Sequence, residues 1–208
     1  RLEDIAVWLA DIQQSKTPQA QNAAAIVFAS DHPVSRLGVS AYPREVTPMM
    51  VVNLATGGAA ASVLSRLHRV PLHVVDVGAE PYPAPHTAEG MHWERVDVGG
   101  QVGDLIETDA MDKTALNGAL QAGVDAVNNL ESGTNVVIFG EMGIGNTTPA
   151  SAICAQLLQV DATSMVGPGT GLSGEALEAK VQLVDAALQR TSASTDAMEV
   201  LQRLGGRE

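Results

Sequence analysis

Apolar residues fall into two alternating patterns along the chain, short continuous runs and runs with helical spacing. The continuous runs predict strands over residues 23–30, 71–78 and 135–140, because strands buried on both faces of a sheet are apolar throughout. Spacings of three and four predict helices at Leu2, Ile5, Leu9 and Ile12, and over 46–67 with a candidate break at Gly57 and Gly58, 112–131, 148–160, 174–190 and 196–204.

Two of these helices show a stripe that we expect to face the core. In the helix over 112–131 the stripe consists of Leu116, Leu120, Val124 and Val127. In the helix over 174–190 it consists of Leu177, Val181, Val184 and Leu188, with Lys180 at its edge.

The alternation of strands and helices predicts an α/β fold with a doubly wound parallel sheet. Ligands of such sheets bind at the carboxyl ends of the strands. Three loops follow predicted strands, at 31–43, 78–83 and 140–149. Functional residues are therefore expected in these loops.

Composition narrows the classes of partner. Twelve basic and twenty-four acidic side chains give a net charge of −12, which disfavours nucleic acid and anionic membrane surfaces. Aromatic residues make up 3% of the chain, so the core is expected to consist of Ala, Val, Leu, Ile and Met. No membrane-length apolar run or signal peptide stands out, so we expect a cytoplasmic protein.

The cysteine and histidine residues give little evidence of a reactive thiol or a metal site. The single cysteine, Cys154, lies in an apolar run and is expected to be a buried structural thiol. The five histidines lack the spacing of metal ligands, so no metal site is expected. Asp31 with His32, and Asp76, lie at strand ends; a catalytic role is open for each, with a structural role as the default.

The segment 136–153 has the order strand, glycine turn, helix. Gly140, Gly143 and Gly145 allow the backbone to turn tightly and approach a ligand, and Thr147 or Thr148 is expected to cap the helix. Asn146 stands where a P-loop has lysine, and Thr148 where a dinucleotide fingerprint has its third glycine. We favour an anion site of another kind over a purely structural turn.

A second glycine loop, with Gly167, Gly169 and Gly171, precedes the helix that carries Lys180. Lys180 could neutralise a phosphate held by the two loops, or it could extend along the surface with its charge in water. Spacing alone slightly favours the second interpretation.

Taken together, several segments resemble the nicotinate-nucleotide–dimethylbenzimidazole phosphoribosyltransferase family. They are GVSAYPREVTPMMV, NLATGGAAASVL, PLHVVDVG, GEMGIGNTTPASA and VGPGTGL followed by Lys180. The resemblance implies a Rossmann-like domain over 23–208, a helical segment of a small domain over 1–22, and a homodimer. Family members extend beyond both ends of this chain, so we expect a central fragment.

The resemblance also implies a reaction. Phosphoribose moves from nicotinate mononucleotide to 5,6-dimethylbenzimidazole or a related azole, giving α-ribazole 5′-phosphate and nicotinate, without a cofactor. The transition state is oxocarbenium-like and is stabilised by a nearby carboxylate, for which Glu141 is the candidate. The residues that match substrate contacts are Tyr42, Met50, Glu141, Gly143, Gly145, Asn146, Thr147, Gly167, Gly169 and Lys180.

Three departures from the family pattern matter for function. Many members carry Gln near Met49 and Met50, which bears on the choice of azole, and Pro33 replaces a usual glycine. The family's catalytic base is a Glu beyond the point that matches Glu208. The alternatives are therefore a truncated, inactive chain that binds nucleotide or a partner subunit, and an unrelated Rossmann-type oxidoreductase, which the failed fingerprint opposes.

Overall fold

The computed structural model describes residues 1–191 and 194–208, which form a parallel sheet flanked by helices. In chain order the elements are α1 (Leu2–Ile12), β1 (Ala23–Ser30), a 3-10 helix (Pro33–Leu37), α2 (Val46–Ala55), α3 (Ala60–His68), β2 (Leu72–Gly78), β3 (Met91–Arg95), α4 (Lys113–Asn128), β4 (Val136–Met142), α5 (Thr147–Leu158), α6 (Ala162–Met165), α7 (Glu175–Thr191) and α8 (Ala197–Leu204).

The sheet has the strand order β3-β2-β1-β4, and every pair of neighbouring strands is parallel. β2 pairs with one side of β1, and β4, which comes later in the chain, pairs with the other side of β1. The carboxyl ends of β1 and β4 therefore border the point at which the strand order reverses, where doubly wound sheets bind their ligands.

Helices cover both faces of the sheet, which confirms the doubly wound prediction. On one face, Ala25 and Ala29 of β1 pack with Val51 and Leu54 of α2. On the other face, Ile26 of β1 lies in a cluster with alanines of α4. The alternation of side chains along β1 thus divides the core into two layers.

A third cluster joins α5, α7 and α8. Ala152, Val184 and Leu204 are each fully buried in it, and Val34 and Val39 of the loop after β1 join them. Because α5 and α7 each begin just after a glycine loop, this packing sets where the two loops lie relative to each other.

The sheet differs from the sequence prediction at its two edges. β3 was not predicted, because the sequence MHWER is not continuously apolar; in this edge strand Met91 is buried while His92 and Glu94 are exposed. The prediction that β4 is buried on both faces is wrong, since Ile138 and Phe139 are 52% and 63% exposed. β4 is the other edge of the described sheet.

The predicted stripe of α4 is also wrong in part. Leu116 is buried, but Leu120, Val124 and Val127 are 41–53% exposed. The helix instead packs through Ala115, Ala122 and Ala126, whose small side chains allow a close approach to the sheet. In α7, by contrast, Val184 is fully buried and Leu188 packs against the same cluster.

Two further expectations need correction. Cys154 is exposed on α5, so it is not a buried thiol. The range Val46–His68 does have the length and hydropathy of a membrane span, although the structure divides it into α2 and α3. α1 buries none of its residues, and the division into domains at residue 22 stays a prediction.

Candidate active site

A groove of about 420 Å³ lies at the carboxyl ends of β1 and β4. It is formed by the loop after β1, the first turns of α2, the glycine turn after β4 and the start of α5. Six of the predicted site residues line it together: Tyr42, Met50, Gly143, Gly145, Asn146 and Thr147.

One wall of the groove is apolar. Tyr42, Val46 and Met50 contribute it from the loop after β1 and from α2, and Met142 and Ile144 contribute it from the glycine turn. The two parts are tied together where the Ile144 amide donates to Thr47 Oγ1 at 3.0 Å. This wall can hold a flat apolar ring.

The glycine turn owes its shape mainly to contacts within the protein. A Cβ atom on Gly143 would lie 2.4 Å from Ser30 O and 2.9 Å from His32 Nε2, so the turn packs directly on the end of β1. Gly145 has a φ of +93°, which favours glycine. Packing against Ser30 and His32 is therefore a second reason for glycine at position 143, besides the predicted approach of a ligand.

The start of α5 differs from the expected cap. The helix begins at Thr147, and Asn146 stands at the N-cap position without a side-chain cap. Thr148 is fully buried and its hydroxyl has no described partner, so neither threonine is the predicted cap. Asn146 Nδ2 instead donates to the Glu141 carboxylate, which fixes this exposed acid beside the groove.

The amides at this helix start are partly used inside the turn. Asn146 N donates to Gly143 O at 3.0 Å, and Thr148 N donates to Gly145 O at 2.9 Å. In the described part of the chain nothing accepts from the Thr147 amide. Helix N-termini with unused amides attract anions.

Lys180 brings the second glycine loop to the first. Its side chain is 1% exposed, and Nζ donates to Thr147 Oγ1 at 2.6 Å and to Gly167 O at 3.3 Å. The interpretation of Lys180 as a surface lysine is wrong. Burial lowers the pKa of its ammonium group, because an apolar environment disfavours the charged form.

Glycine at position 169 lets the second glycine loop pack closely against Lys180 and Thr147. A Cβ atom on Gly169, whose φ is +53°, would lie 2.9 Å from Thr147 Oγ1 and 3.1 Å from Lys180 Nζ. Gly167 has nothing within 4 Å of its Cβ position. Gly167, Gly169 and Lys180 are not among the residues that line the groove; Lys180 and Gly169 reach it through their contacts with Thr147.

Thr170 belongs to the groove and was not assigned a role from the sequence. Its Oγ1 accepts from Ala41 N at 2.8 Å and lies 3.0 Å from Ser40 Oγ. It thus ties the second glycine loop to the loop that carries Tyr42. Its place between Gly169 and Gly171 was the only signal in the sequence.

Asp76 is structural, as the default interpretation had it. It is fully buried, and it accepts from the amides of Gly78 and Ala79, from Tyr82 Oη and from Arg95. Burial and the bond to Asp76 raise the pKa of Tyr82. This network holds the segment after β2 in place.

Asp31 and His32 directly follow the end of β1 and do not line the groove. Asp31 Oδ2 accepts from Glu80 N at 2.6 Å. His32 Nε2 lies 2.7 Å from Glu208 Oε1, although the contact is not aligned as a hydrogen bond. Among residues 1–191 and 194–208, no group of three or more His, Cys, Asp or Glu side chains is arranged to hold a metal.

Comparison with known proteins identifies the family. A family model described as a phosphoribosyltransferase matches residues 1–208, the whole chain. The chain belongs to this phosphoribosyltransferase family. The resemblance stated from the GEMGIGNTT and VGPGTGL segments is therefore confirmed.

Individual members of the family are similar over the whole chain. The nicotinate-nucleotide–dimethylbenzimidazole phosphoribosyltransferases of Pseudomonas fluorescens and Mesorhizobium japonicum are each 41% identical, and the chain covers 59% and 56% of them. A crystal structure of CobT from Thermus thermophilus has a TM-score of 0.84 at 36% identity, with 100% of this chain and 61% of that one covered. The chain thus spans little more than half the length of these curated relatives.

Proposed function

We propose that this chain carries the substrate-binding loops of a nicotinate-nucleotide–dimethylbenzimidazole phosphoribosyltransferase. The reaction transfers phosphoribose from nicotinate mononucleotide to 5,6-dimethylbenzimidazole or a related azole, giving α-ribazole 5′-phosphate and nicotinate. The observation that carries the proposal is the buried Lys180 between two glycine loops. The names of the relatives supply the identity of the substrates.

Lys180 fits a phosphate because its charge has no anionic partner among residues 1–191 and 194–208. None of the ion pairs in the described part of the chain includes it. Burying an unpaired charge is unfavourable, so an anion beside Gly167 and Gly169 would be bound strongly. The Thr147 amide adds a donor beside the hydroxyl that accepts from Lys180.

Glu141 fits the charge that develops at the ribose. Nicotinate departs from a pyridinium and needs no general acid, so the main requirement is to stabilise an oxocarbenium-like ring. Glu141 is exposed, and Asn146 orients its carboxylate. We assign Glu141 this stabilising role and not that of the base that deprotonates the azole, which the resemblance places beyond Glu208.

The apolar wall fits the azole. A flat bicyclic ring can lie against Tyr42 and Met50, and the thioethers of Met50 and Met142 adapt readily to ring shape. The two substrates would then meet at the glycine turn, with the phosphate towards Lys180 and the azole towards Tyr42.

We also infer a homodimer, as the resemblance implies. α3 supports association, because it buries Ser62 and Ser65 and exposes Val63, Leu64 and Leu67 at 47–71%. Exposed apolar faces of this kind commonly mark protein interfaces. Sedimentation of the full-length protein would test this, and a monomer at micromolar concentration would contradict it.

The reaction is tested by incubating the full-length protein with nicotinate mononucleotide and 5,6-dimethylbenzimidazole. Mass spectrometry should detect α-ribazole 5′-phosphate and nicotinate in equal amounts. Glu141→Gln should lower kcat by about 10²-fold, the scale of a lost electrostatic contact to the transition state, with little change in nucleotide binding. Absence of product from the wild-type protein contradicts the proposal.

A further inference from the structure

The segment that carries Tyr42 is anchored on both sides of that residue. Before it, Ala41 N donates to Thr170 Oγ1, and Ser40 Oγ contacts the same oxygen. After it, Arg44 leaves the segment and reaches across the carboxyl ends of β1 and β2. Tyr42 thus lies between two anchors, of which only Thr170 lines the groove.

Arg44 bridges two acids from different strands. Its Nη1 lies 3.1 Å from Glu80 Oε1, and its Nε lies 3.6 Å from Asp31 Oδ1. The Arg44 side chain is 20% exposed and that of Asp31 is 1% exposed. Because Asp31 Oδ2 also accepts from Glu80 N at 2.6 Å, the three residues form one unit.

The bridge is incomplete in the structure. Asp31 Oδ1 and Arg44 Nε are both buried without a hydrogen-bond partner, and they face each other at 3.6 Å. Buried charged atoms that lack a partner are strongly drawn to close such a gap. The attraction between the two charges holds the segment that bears Tyr42 near the end of β1.

We propose that Arg44 is a positioning residue for the azole half of the groove. By bridging Asp31 and Glu80, it fixes the distance between Tyr42 and Met50 and so sets the width available to a flat bicyclic base. The inference rests on the proposed function, because it assigns the base to this wall. Arg44 does not itself line the groove.

The test compares Arg44→Met, which keeps the apolar stem, with Arg44→Lys, which keeps the charge but loses the planar fork. We expect the KM for 5,6-dimethylbenzimidazole to rise about 10-fold in Arg44→Met and about 3-fold in Arg44→Lys, on the scale of small losses of substrate positioning. The KM for nicotinate mononucleotide should change less than about 2-fold, because Lys180 is untouched. A wild-type azole KM in Arg44→Met would overturn the proposal.

A double variant separates positioning from stability. Arg44→Met removes one of the two cations near the buried Asp31 carboxylate and leaves Arg207 as the other, which lowers stability. In Asp31→Asn with Arg44→Met the carboxylate charge is gone, so the melting temperature should recover while the azole KM stays raised. Recovery of both quantities together would overturn the positioning role.

Hydrogen exchange of the Val46 and Thr47 amides, which donate to Pro43 O and Arg44 O, distinguishes the two possible failures. We expect faster exchange of both in the double variant than in the wild type. If the wild type makes no α-ribazole 5′-phosphate, the proposed reaction is contradicted. Faster exchange in the double variant would still show that Arg44 restrains this segment. Exchange at the wild-type rate in the double variant would overturn the proposal that Arg44 restrains this segment, whatever the enzymatic activity.

Discussion

Single residues in the glycine turn are constrained by their neighbours in the protein as well as by the ligand they are expected to meet. Gly143 and Gly167 both belong to predicted substrate contacts, yet their surroundings differ. Gly143 is packed against Ser30 and His32, and Gly167 faces open space. Packing against neighbouring residues therefore explains the glycine at position 143, whereas it does not explain the glycine at position 167.

This difference predicts that replacement by alanine lowers stability at position 143 and leaves it unchanged at position 167. Gly143→Ala should lower the free energy of unfolding by about 1–3 kcal/mol, because the new Cβ atom overlaps Ser30 O and the backbone must shift. Gly167→Ala, the matched control, should stay within about 0.5 kcal/mol of the wild type. Urea unfolding measures both, and equal stability of the two variants would contradict this explanation.

The residues of the site could largely be predicted from the sequence, but their contacts could not. The positions of Gly143, Gly145 and Asn146 follow from local turn chemistry, and the structure places these three residues in the groove. The environment of Lys180 depends on how α5 packs against α7, which residue spacing does not encode. Arg44 and Thr170 were missed for the same reason, since each acts on residues that are distant in the sequence.

At the scale of elements, the edge strand β3 is marked by a histidine pair. His73 of β2 pairs in register with His92 of β3, and their rings stack at 4.5 Å between centroids. Burial and the neighbouring His92 lower the pKa of His73, while Glu131 opposes the shift. The folded state therefore favours neutral His73.

The lowered pKa predicts an acid-sensitive contribution to stability. Below the ordinary pKa of 6.5, the unfolded chain binds a proton at His73 more readily than the folded chain, so stability falls as the pH falls. His73→Gln should flatten the decline in the free energy of unfolding between about pH 7.5 and 5.5. His86→Gln, in the segment after β2, is the control and should keep the wild-type slope.

Elements with a strong periodic or continuous pattern were predicted well, and those with weak patterns were not. β1 and β2 lie in the middle of the sheet and are largely apolar, whereas β3 alternates because one of its faces meets solvent. In α4 the stripe of large residues suggested the wrong face. Close packing against the sheet selects small alanines, and only the tertiary structure shows which face comes closest.

The whole molecule combines a net negative charge with a buried lysine at the proposed binding site. The net charge of −12 repels an anionic nucleotide at long range. The proposed site overcomes this repulsion locally, because two glycine loops from separate parts of the chain place Lys180 next to a helix N-terminus. The packing of α5 and α7 in one core cluster makes this possible, because it brings two loops that are distant in sequence together.

The central claim is that Lys180 is buried in order to bind the phosphate of nicotinate mononucleotide. Replacing a buried charge that has no anionic partner in the described chain relieves its desolvation cost, which offsets the loss of the hydrogen bonds from Lys180 Nζ to Thr147 Oγ1 and Gly167 O. Lys180→Met should therefore be as stable as the wild type or more stable, while losing phosphate affinity. A purely structural lysine would show the reverse, with reduced stability and unchanged binding.

Calorimetric titration of nicotinate mononucleotide into Lys180→Met, with the exposed Lys113→Met as control, tests this claim most directly. We predict that Lys180→Met weakens binding by about 1.5–3 kcal/mol, the scale of a hydrogen bond to a charged group, with the melting temperature maintained. Lys113→Met should bind as the wild type does. Wild-type affinity in Lys180→Met, or no binding by the wild-type protein itself, would contradict the account.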